Sequence, residues 1–337
     1  AYIGQGDFQK PERINLGLLG AKISKTENGY FRIDKILDGA NWDPLLRSPL
    51  QQLGYQINEG DFIIEINNKN TKNIPDLYVE LIDKADKQVD ITISSSSEGK
   101  NSKKMTIIPI ADESNLYYYN WVKDNIDKVS KATNGEVGYI HLPDMVTTGL
   151  NQFAKLYYPQ LAKKALIIDN RGNGGGNVSP MVIERLKRKP DYYTMRGEAD
   201  YGRVNPGGTF LGPKIMITNE YAASDGDLVA YRFRQNNLGK IIGMRSWGGT
   251  VGIGPSLPFV DGTDLRIPSL APFSLDGKEW IIEGWGIEPD IEIDNNPVKE
   301  YLGEDEQLNK SIELILEELK EKEVIIPELP AYPDKTK

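Results

Sequence analysis

The stretch that most constrains the fold is a serine-containing turn between an apolar segment and a helix-like segment. Residues 214–218 have the length and composition of a buried strand, and residues 219–227 follow them directly. The next apolar residues recur at helical spacing, at positions 228, 229, 231 and 233. Ser224 therefore lies where a strand turns into a helix, which would expose its hydroxyl beside the first N–H groups of that helix.

This turn has two interpretations. Several unrelated hydrolases present a nucleophilic serine in this way. Alternatively, Ser224 is an ordinary helix N-cap, and Asp225 and Asp227 stabilise the helix dipole. The turn alone is compatible with both, so the rest of the chain has to decide between them.

Composition and charge exclude several classes of function. The 337 residues are enough for two domains, and 39% hydrophobic with 26% charged residues indicate a soluble globular protein. The net charge of −9 argues against a nucleic-acid partner, no apolar run has membrane-spanning length, and no signal-peptide pattern is present. The chain has no cysteine and one histidine, His141, which excludes thiol catalysis, cysteine-bound metals and multi-histidine metal sites.

Residues 13–112 predict a small β-rich domain. Strand patterns lie at residues 21–24, 30–37, 61–67, 89–93 and 104–109, and a short helix is predicted at residues 74–82. Residues 1–12 are interpreted as the end of an upstream subdomain.

The β-rich segment resembles a PDZ domain of the circularly permuted kind found beside proteases. Gly17, Leu18, Leu19 and Gly20 stand where that family has its Gly-Leu-Gly-Phe-like loop, and Glu59-Gly-Asp61 is also in register. The resemblance implies that the loop's backbone N–H groups cradle the C-terminal carboxylate of a peptide, which adds as a strand. Alternatively, the glycines only serve a turn in a small β-barrel.

Residues 113–325 predict an α/β (α+β) domain with a mixed sheet and crossover helices. Helical patterns at residues 114–135, 149–161 and 308–319 alternate with strand patterns such as residues 137–142, and residues 165–169 form the continuous apolar run typical of a covered parallel strand. Residues 326–337 are predicted to be a Pro-rich tail.

A glycine-rich loop, residues 170–177, directly follows the apolar strand 165–169 and precedes a helical segment. Strand, glycine loop and helix together form a geometry that can cradle an anion. The loop lacks the Gly-Lys-Ser/Thr ending of a P-loop, so a phosphate site is the weaker interpretation. An oxyanion hole is the other use of such backbone donors.

The order of these features resembles the tail-specific and tricorn family of serine peptidases. The matching segments, spread over most of residues 13–320, are Tyr119-Asn-Trp-Val, Gly138-Tyr-Ile-His-Leu-Pro-Asp144, Asp169-Asn-Arg with Asn173-Gly-Gly-Gly, Asn219-Glu-Tyr with Ser224-Asp-Gly-Asp, Arg245-Ser-Trp-Gly-Gly, and Glu283 with Gly286-Ile-Glu-Pro-Asp290. The resemblance implies that Ser224 is the nucleophile. It also implies an oxyanion hole formed by the N–H of Asp225 with that of Gly175 or Gly176, and a relay completed by Glu283. Alternatively, Glu283 is a surface carboxylate or a brace for its loop.

The two branches of this family differ in their general base. Tail-specific proteases use a lysine about two dozen residues after the serine, where this chain has Trp247-Gly248-Gly249. The tricorn branch uses a histidine that lies upstream of the PDZ domain, near the start of a segment like residues 1–6. His141 is the one histidine of this chain, but it lies within an apolar strand pattern, so we interpret it as structural and expect the base to lie outside this sequence.

The leading hypothesis is thus a tricorn-like serine peptidase that cleaves short peptides, without cofactor or metal. The resemblance implies a homo-oligomer and a cytoplasmic location, although export is equally compatible with the composition. A first alternative is a non-catalytic peptide-binding scaffold, made of the PDZ-like domain and a degenerate hydrolase domain. A second is a Ser-Lys peptidase whose lysine the sequence does not place.

Overall fold

A computed structural model of the chain describes residues 2–3, 7, 9–195, 202–254, 258–321, 327–331 and 336. These residues form two compact units, Gln9–Asp124 and the combination of Ala1–Phe8 with Asn125–Lys337. Within the described part, no helix has the length and apolar composition needed to cross a membrane. Half of the predicted tail lies outside the described residues, and residues 327–331 have no regular secondary structure.

The smaller unit is built on an antiparallel sheet. Strand β1, Tyr2–Ile3, belongs to the larger unit, and the smaller unit contains β2 (Ala21–Lys25), β3 (Phe31–Ile36), β4 (Phe62–Ile66), β5 (Lys69–Asn70), β6 (Val89–Ser94) and β7 (Lys103–Ile107). They pair in the order β2-β3-β4-β6-β7, with β5 added to β4. Short 3-10 helices lie at Pro44–Leu46, Thr71–Asn73 and Leu77–Leu81.

Alternation along these strands fills one core. In β3, Phe31 and Ile33 are buried whereas Arg32 is exposed, and Ile91 at the centre of β6 is fully buried. Period-two alternation sends one set of side chains to the core and the other to solvent. The β-rich first domain predicted from this pattern is confirmed.

The larger unit alternates strands with helices. The helix α1, Ser114–Ala132, contains the point at which the units divide. The elements after it are β8 (Val137–His141), α2 (Thr147–Tyr157), β9 (Ala165–Asp169), α3 (Ser179–Leu186), β10 (Tyr192–Thr194), β11 (Arg203–Asn205), β12 (Lys214–Thr218), α4 (Asp225–Gln235), β13 (Gly239–Gly243), β14 (Gly252–Ile253), β15 (Leu265–Arg266), β16 (Pro268–Leu270), β17 (Ile291–Glu292), α5 (Pro297–Tyr301) and α6 (Glu306–Glu321).

Five of these strands form a central sheet in the order β17-β13-β12-β9-β8, and all of their pairings are parallel. Antiparallel pairing occurs in three separate ribbons, β1/β15, β10/β11 and β14/β16. The predicted α/β fold class is confirmed, and the mixture of pairings lies in these ribbons rather than in the central sheet. A sheet covered on both faces is where parallel strands are stable.

Helices cover both faces of the central sheet. Ile168 and Met216 pack with residues of α2, α3 and α4, whereas the adjacent Ile167 and Ile217 pack with residues of α6. All four side chains are fully buried. This is why β9 and β12 read as continuous apolar runs in the sequence.

The parallel arrangement brings three loops to one edge of the sheet. Asp169 at the end of β9 pairs with Ile217 near the end of β12, and Thr218 pairs with Gly243 at the end of β13. The loops that follow, residues 170–178, 219–224 and 244–251, therefore all leave the carboxyl edge, where open α/β sheets bind ligands.

Candidate active site

Ser224 has a strained backbone and no capping bond. Its φ is 58° and its ψ is −117°, a conformation that L-residues seldom adopt. It occupies the N-cap position of α4, but its side chain makes no cap hydrogen bond with the described residues. This geometry argues against the N-cap interpretation, because the hydroxyl is not used for the one purpose that a cap serves.

Two backbone donors near Ser224 have no acceptor among the described residues. One is the N–H of Asp225, the first residue of α4, and the other is the N–H of Gly176 in the glycine loop. The N–H of Gly175 donates to Asn173 Oδ1 at 2.9 Å. Of the two predicted glycines, Gly176 thus has the unengaged donor, and Gly175 could contribute one only by giving up its bond to Asn173.

Gly175 instead provides close backbone packing. A Cβ at this position would lie 2.7 Å from Ser224 Cβ and 3.2 Å from the backbone nitrogen of Asp225, and its φ is +81°. A Cβ on Gly226 would lie 2.8 Å from the Asn173 carbonyl oxygen, to which the Ala223 N–H donates. Glycines at both positions allow the 170–177 loop to lie directly against the serine turn.

Glu283 is held by a neighbouring loop. Its Oε2 accepts the N–H groups of Thr250 at 2.6 Å and Val251 at 2.8 Å, and the Thr250 hydroxyl at 3.1 Å. The preceding residue, Ile282, has a φ of 44°, which is unusual for a β-branched side chain. The carboxylate is therefore fixed, as both a relay residue and a loop brace would require.

The loop of residues 246–251 connects Glu283 to the serine turn. The Trp247 N–H donates to the Ala222 carbonyl at 3.0 Å, and the Gly284 N–H donates to the Gly248 carbonyl at 2.7 Å. The resemblance places the lysine of the tail-specific branch at this point, whereas this loop has no lysine and binds Glu283 through backbone N–H groups and the Thr250 hydroxyl.

His141 is buried and engaged. It ends β8, its side chain is 5% exposed, and its Nε2 lies 2.9 Å from the Arg171 carbonyl oxygen. A carbonyl only accepts hydrogen bonds, so Nε2 carries the proton. Burial lowers the pKa of His141, although the charge of Asp169 acts in the opposite direction. These contacts support the structural interpretation of this residue.

Lys214 is a buried lysine of the larger unit, but it lies at the wrong end of β12 to form a Ser-Lys pair with Ser224. Burial lowers its pKa to about 8, and its Nζ donates to the carbonyls of Phe210 and Gly212. It begins β12, whereas Ser224 follows the end of that strand. The strand has five residues, so four steps of about 3.3 Å separate its two ends by roughly 13 Å.

The predicted peptide loop of the smaller unit has most of its donors occupied. The N–H groups of Gly17 and Leu18 donate to the carbonyls of Leu81 at 2.9 Å and Ile110 at 2.7 Å. The Gly20 N–H donates to a carboxylate of the same unit, Glu113 Oε2, at 3.1 Å. Within the described residues, only the N–H of Leu19 in this loop lacks an acceptor.

For two residues of the site, the sequence does not predict the contacts that the structure shows. Asn173 is fully buried, and its Nδ2 donates to the Leu142 carbonyl while its Oδ1 accepts from Gly175. Asp227 was assigned only to the helix dipole, yet its carboxylate binds the 246–251 loop. The Ser-x-x-Asp spacing of residues 224–227, which resembles a capping box, was the available signal for Asp227.

Models of two protein families match the chain. The description "Tricorn protease PDZ domain" matches residues 17–112, and "Peptidase family S41" matches residues 136–293. The second match contains Ser224, Glu283 and the glycine loop.

Similar proteins are known by sequence and by structure. "Tricorn protease homolog 1" of Streptomyces coelicolor is 35% identical over 308 residues, covering 90% of this chain and 28% of its own length. "Tricorn protease" of Thermoplasma volcanium is also 35% identical, covering 90% of this chain and 29% of its own length. The crystal structure of the tricorn protease superposes with a TM-score of 0.86 at 32% identity, covering 95% of this chain and 31% of that one. The chain thus spans about a third of the length of these relatives.

Proposed function

Because the chain belongs to the tail-specific and tricorn family of serine peptidases, peptidase family S41, we propose that it is the catalytic core of a tricorn-like enzyme that cleaves short peptides. The observation that carries this proposal is the state of the serine turn. Ser224 is held in a strained conformation and its hydroxyl makes no capping bond. Among the described residues, two backbone N–H groups beside it have no acceptor. Strain and unengaged donors at one place are typical of a site prepared for a reacting group.

In the proposed reaction, Ser224 Oγ attacks the carbonyl carbon of the peptide bond and its proton passes to a histidine base. The N–H groups of Asp225 and Gly176 stabilise the oxyanion. The base then gives the proton to the leaving amine as the C–N bond breaks, which leaves an acyl-enzyme for water to hydrolyse. Since His141 is engaged with Arg171, the base comes from outside these 337 residues, and Glu283 orients it.

The same proposal includes peptide binding by the Gly17–Gly20 loop and association of several copies of the chain. Peptides would be the partners of the enzyme, and copies of the chain would associate, as the resemblance implies. Peptide capture by the smaller unit would use the Leu19 N–H and would require displacement of Glu113 from Gly20.

The test is labelling by a fluorophosphonate probe, which reacts only with an activated serine. The protein would be prepared as these 337 residues and as the full-length protein that contains them, each with Ser224→Ala. Ser269→Ala, a substitution at an exposed serine of the same unit, is the matched control.

We expect the full-length protein to react with the probe. Ser224→Ala should lower labelling at least 1000-fold, on the order seen for loss of a serine nucleophile. Ser269→Ala should leave labelling unchanged. Full-length protein that does not label would support the non-catalytic scaffold instead. Labelling that survives Ser224→Ala would assign the nucleophile to another residue.

A further inference from the structure

Asp227 is a buried carboxylate that joins two parts of the site. It is fully buried in the first turn of α4, and it accepts the N–H of Gly248 at 2.8 Å and of Gly249 at 3.3 Å. The Ser246 hydroxyl and the N–H of Ser224 are nearby donors that also favour its charged form. Among the described residues, no lysine or arginine forms an ion pair with this carboxylate, so neutral donors alone satisfy it.

Asp227 also lies in the same helical turn as the proposed nucleophile. It stands at the third helical position, three residues after the N-cap residue Ser224, which is the spacing of a capping box. The bond from the Ser224 hydroxyl that would complete such a box is missing among the described residues. Asp227 is therefore linked to the backbone of Ser224 through the first turn of α4, and it leaves the Ser224 hydroxyl available.

The remaining donors belong to the loop that holds Glu283. Gly248 and Gly249 directly precede Thr250 and Val251, whose N–H groups bind the Glu283 carboxylate. Packing is tight as well, because a Cβ on Gly248 would lie 2.5 Å from the backbone nitrogen of Gly286. A shift at Asp227 would therefore move both the nucleophile and its proposed relay partner.

We propose that Asp227 is a positioning residue, which fixes the strained backbone of Ser224 and the Glu283-bearing loop in one relative geometry. This inference rests on the proposed function of Ser224. Burial raises the pKa of Asp227, and its four donors act in the opposite direction. A residue that served only the helix dipole would need neither burial nor bonds to a loop 21 residues away.

The first test is kinetic and uses the full-length protein. Asp227→Asn replaces one acceptor oxygen by an NH₂ group that opposes the loop N–H donors. We expect kcat to fall about 100-fold with KM unchanged, because a small displacement of reacting groups has effects of this size. Asp290→Asn is the matched control, since Asp290 also accepts a backbone N–H, that of Ile241 at 2.7 Å.

Ser246→Ala removes a hydroxyl that lies near Asp227 and also accepts the Ile287 N–H at 2.8 Å, and it leaves the loop N–H bonds to Asp227 in place. It serves as a milder variant should Asp227→Asn fold poorly. We expect it to lower kcat in the same direction by a smaller factor. Unchanged kcat in folded Asp227→Asn and in Ser246→Ala would overturn the proposal.

The second test does not require activity. Amide hydrogen exchange of Ser224, Gly248 and Gly249 would be measured in the wild-type protein and in the Asp227→Asn variant, both of which keep Ser224. We expect exchange at least 10-fold faster at these amides and unchanged at Ile241. Inactive wild-type protein with this exchange pattern would refute the proposed function and leave the positioning contact intact, whereas unchanged exchange would refute the contact itself.

Discussion

Two glycine loops of this chain resemble anion cradles, but they use their backbone donors differently. In the smaller unit, the N–H groups of Gly17, Leu18 and Gly20 all donate to acceptors within that unit. In the larger unit, the N–H groups of Gly176 and Asp225 have no acceptor among the described residues. The comparison shows that a glycine loop predicts where donors can converge, and that the neighbouring acceptors decide whether they are available.

The difference has a physical basis. A backbone N–H that is removed from water needs an acceptor, so a loop with most of its donors engaged is stable as it stands. In the smaller unit, Leu19 has the one N–H of this loop without an acceptor among the described residues. A loop with unengaged donors beside a strained residue is costly unless a ligand or reacting group uses them. This argument supports placing the proposed chemistry in the larger unit, whereas Glu113 occupies the Gly20 N–H in the smaller unit.

Among the substitutions that test this comparison of the two loops, Gly175→Ala is expected to have the largest effect. The new Cβ would lie 2.7 Å from Ser224 Cβ at a φ of +81°, so the loop must move away from the serine turn. We expect labelling by the fluorophosphonate probe to fall about 100-fold or more, because an oxyanion donor and the packing of the nucleophile are disturbed together.

Gly174→Ala is the matched control for this substitution. A Cβ there meets nothing within 4 Å, so labelling and thermal stability should stay near those of the parent protein. Equal labelling of the two variants would mean that the glycine loop does not take part in the site.

An effect of similar size is expected from Glu283→Gln. The amide oxygen of glutamine still accepts the N–H groups of Thr250 and Val251, so the loop keeps its brace while the charge is lost. If Glu283 orients a histidine base, we expect kcat to fall roughly 100-fold or more. Measurement of kcat and of the unfolding midpoint in the same variant separates the relay from the brace.

Glu288→Gln removes an exposed carboxylate from the same segment and should leave kcat unchanged. A normal kcat in Glu283→Gln would assign Glu283 to the brace alone.

The sequence predicted those parts of the site that depend on local patterns. Residues 165–169 and 214–218 are strands with the predicted bounds, since a fully buried parallel strand is apolar at every position. The turn at Ser224 followed from the strand before it and the helical spacing after it. Boundaries were less predictable: the helix expected at residues 149–161 ends at Tyr157, because Pro159 cannot continue it and a 3-10 turn follows.

Contacts between distant residues were not predictable. The bond that occupies Gly20 comes from Glu113, 93 positions later, and no local pattern shows that this carboxylate lies beside the loop. Asp227 likewise gains its role from Gly248, which only the fold brings to it. Short segments are also ambiguous, and the helix expected at residues 74–82 is a 3-10 helix of five residues, Leu77–Leu81.

A smaller effect is expected from Glu113→Ala in the smaller unit. The substitution removes the carboxylate from the Gly20 N–H and leaves two adjacent donors, those of Leu19 and Gly20, without acceptors. We expect affinity for peptides with a free C-terminal carboxylate to rise about 10-fold, the equivalent of one charge-assisted hydrogen bond at about 1.5 kcal/mol.

Fluorescence polarisation measures this change. It would use a library of peptides with an apolar C-terminal residue, and the same peptides with an amidated C-terminus. Glu98→Ala, a loss of an exposed carboxylate of the same unit, is the control. If the parent protein bound these peptides measurably and with the same affinity as Glu113→Ala, Glu113 would not close the loop.

The smallest effect concerns His141, which binds the start of the 170–177 loop as Glu113 binds the Gly17–Gly20 loop. Its Nε2 donates to the Arg171 carbonyl, and burial lowers its pKa despite the nearby Asp169 charge. Because the folded-state pKa is below that of the unfolded chain, this residue's contribution to stability is complete above about pH 6.5 and is lost as the pH falls below that value. His141→Gln keeps a donor for Arg171 without titrating there, so unfolding free energies at pH 7.5 and 5.5 should show a steeper loss in the parent protein than in the variant. Labelling of Ser224 should persist in His141→Gln, and its disappearance from folded protein would make His141 the general base after all.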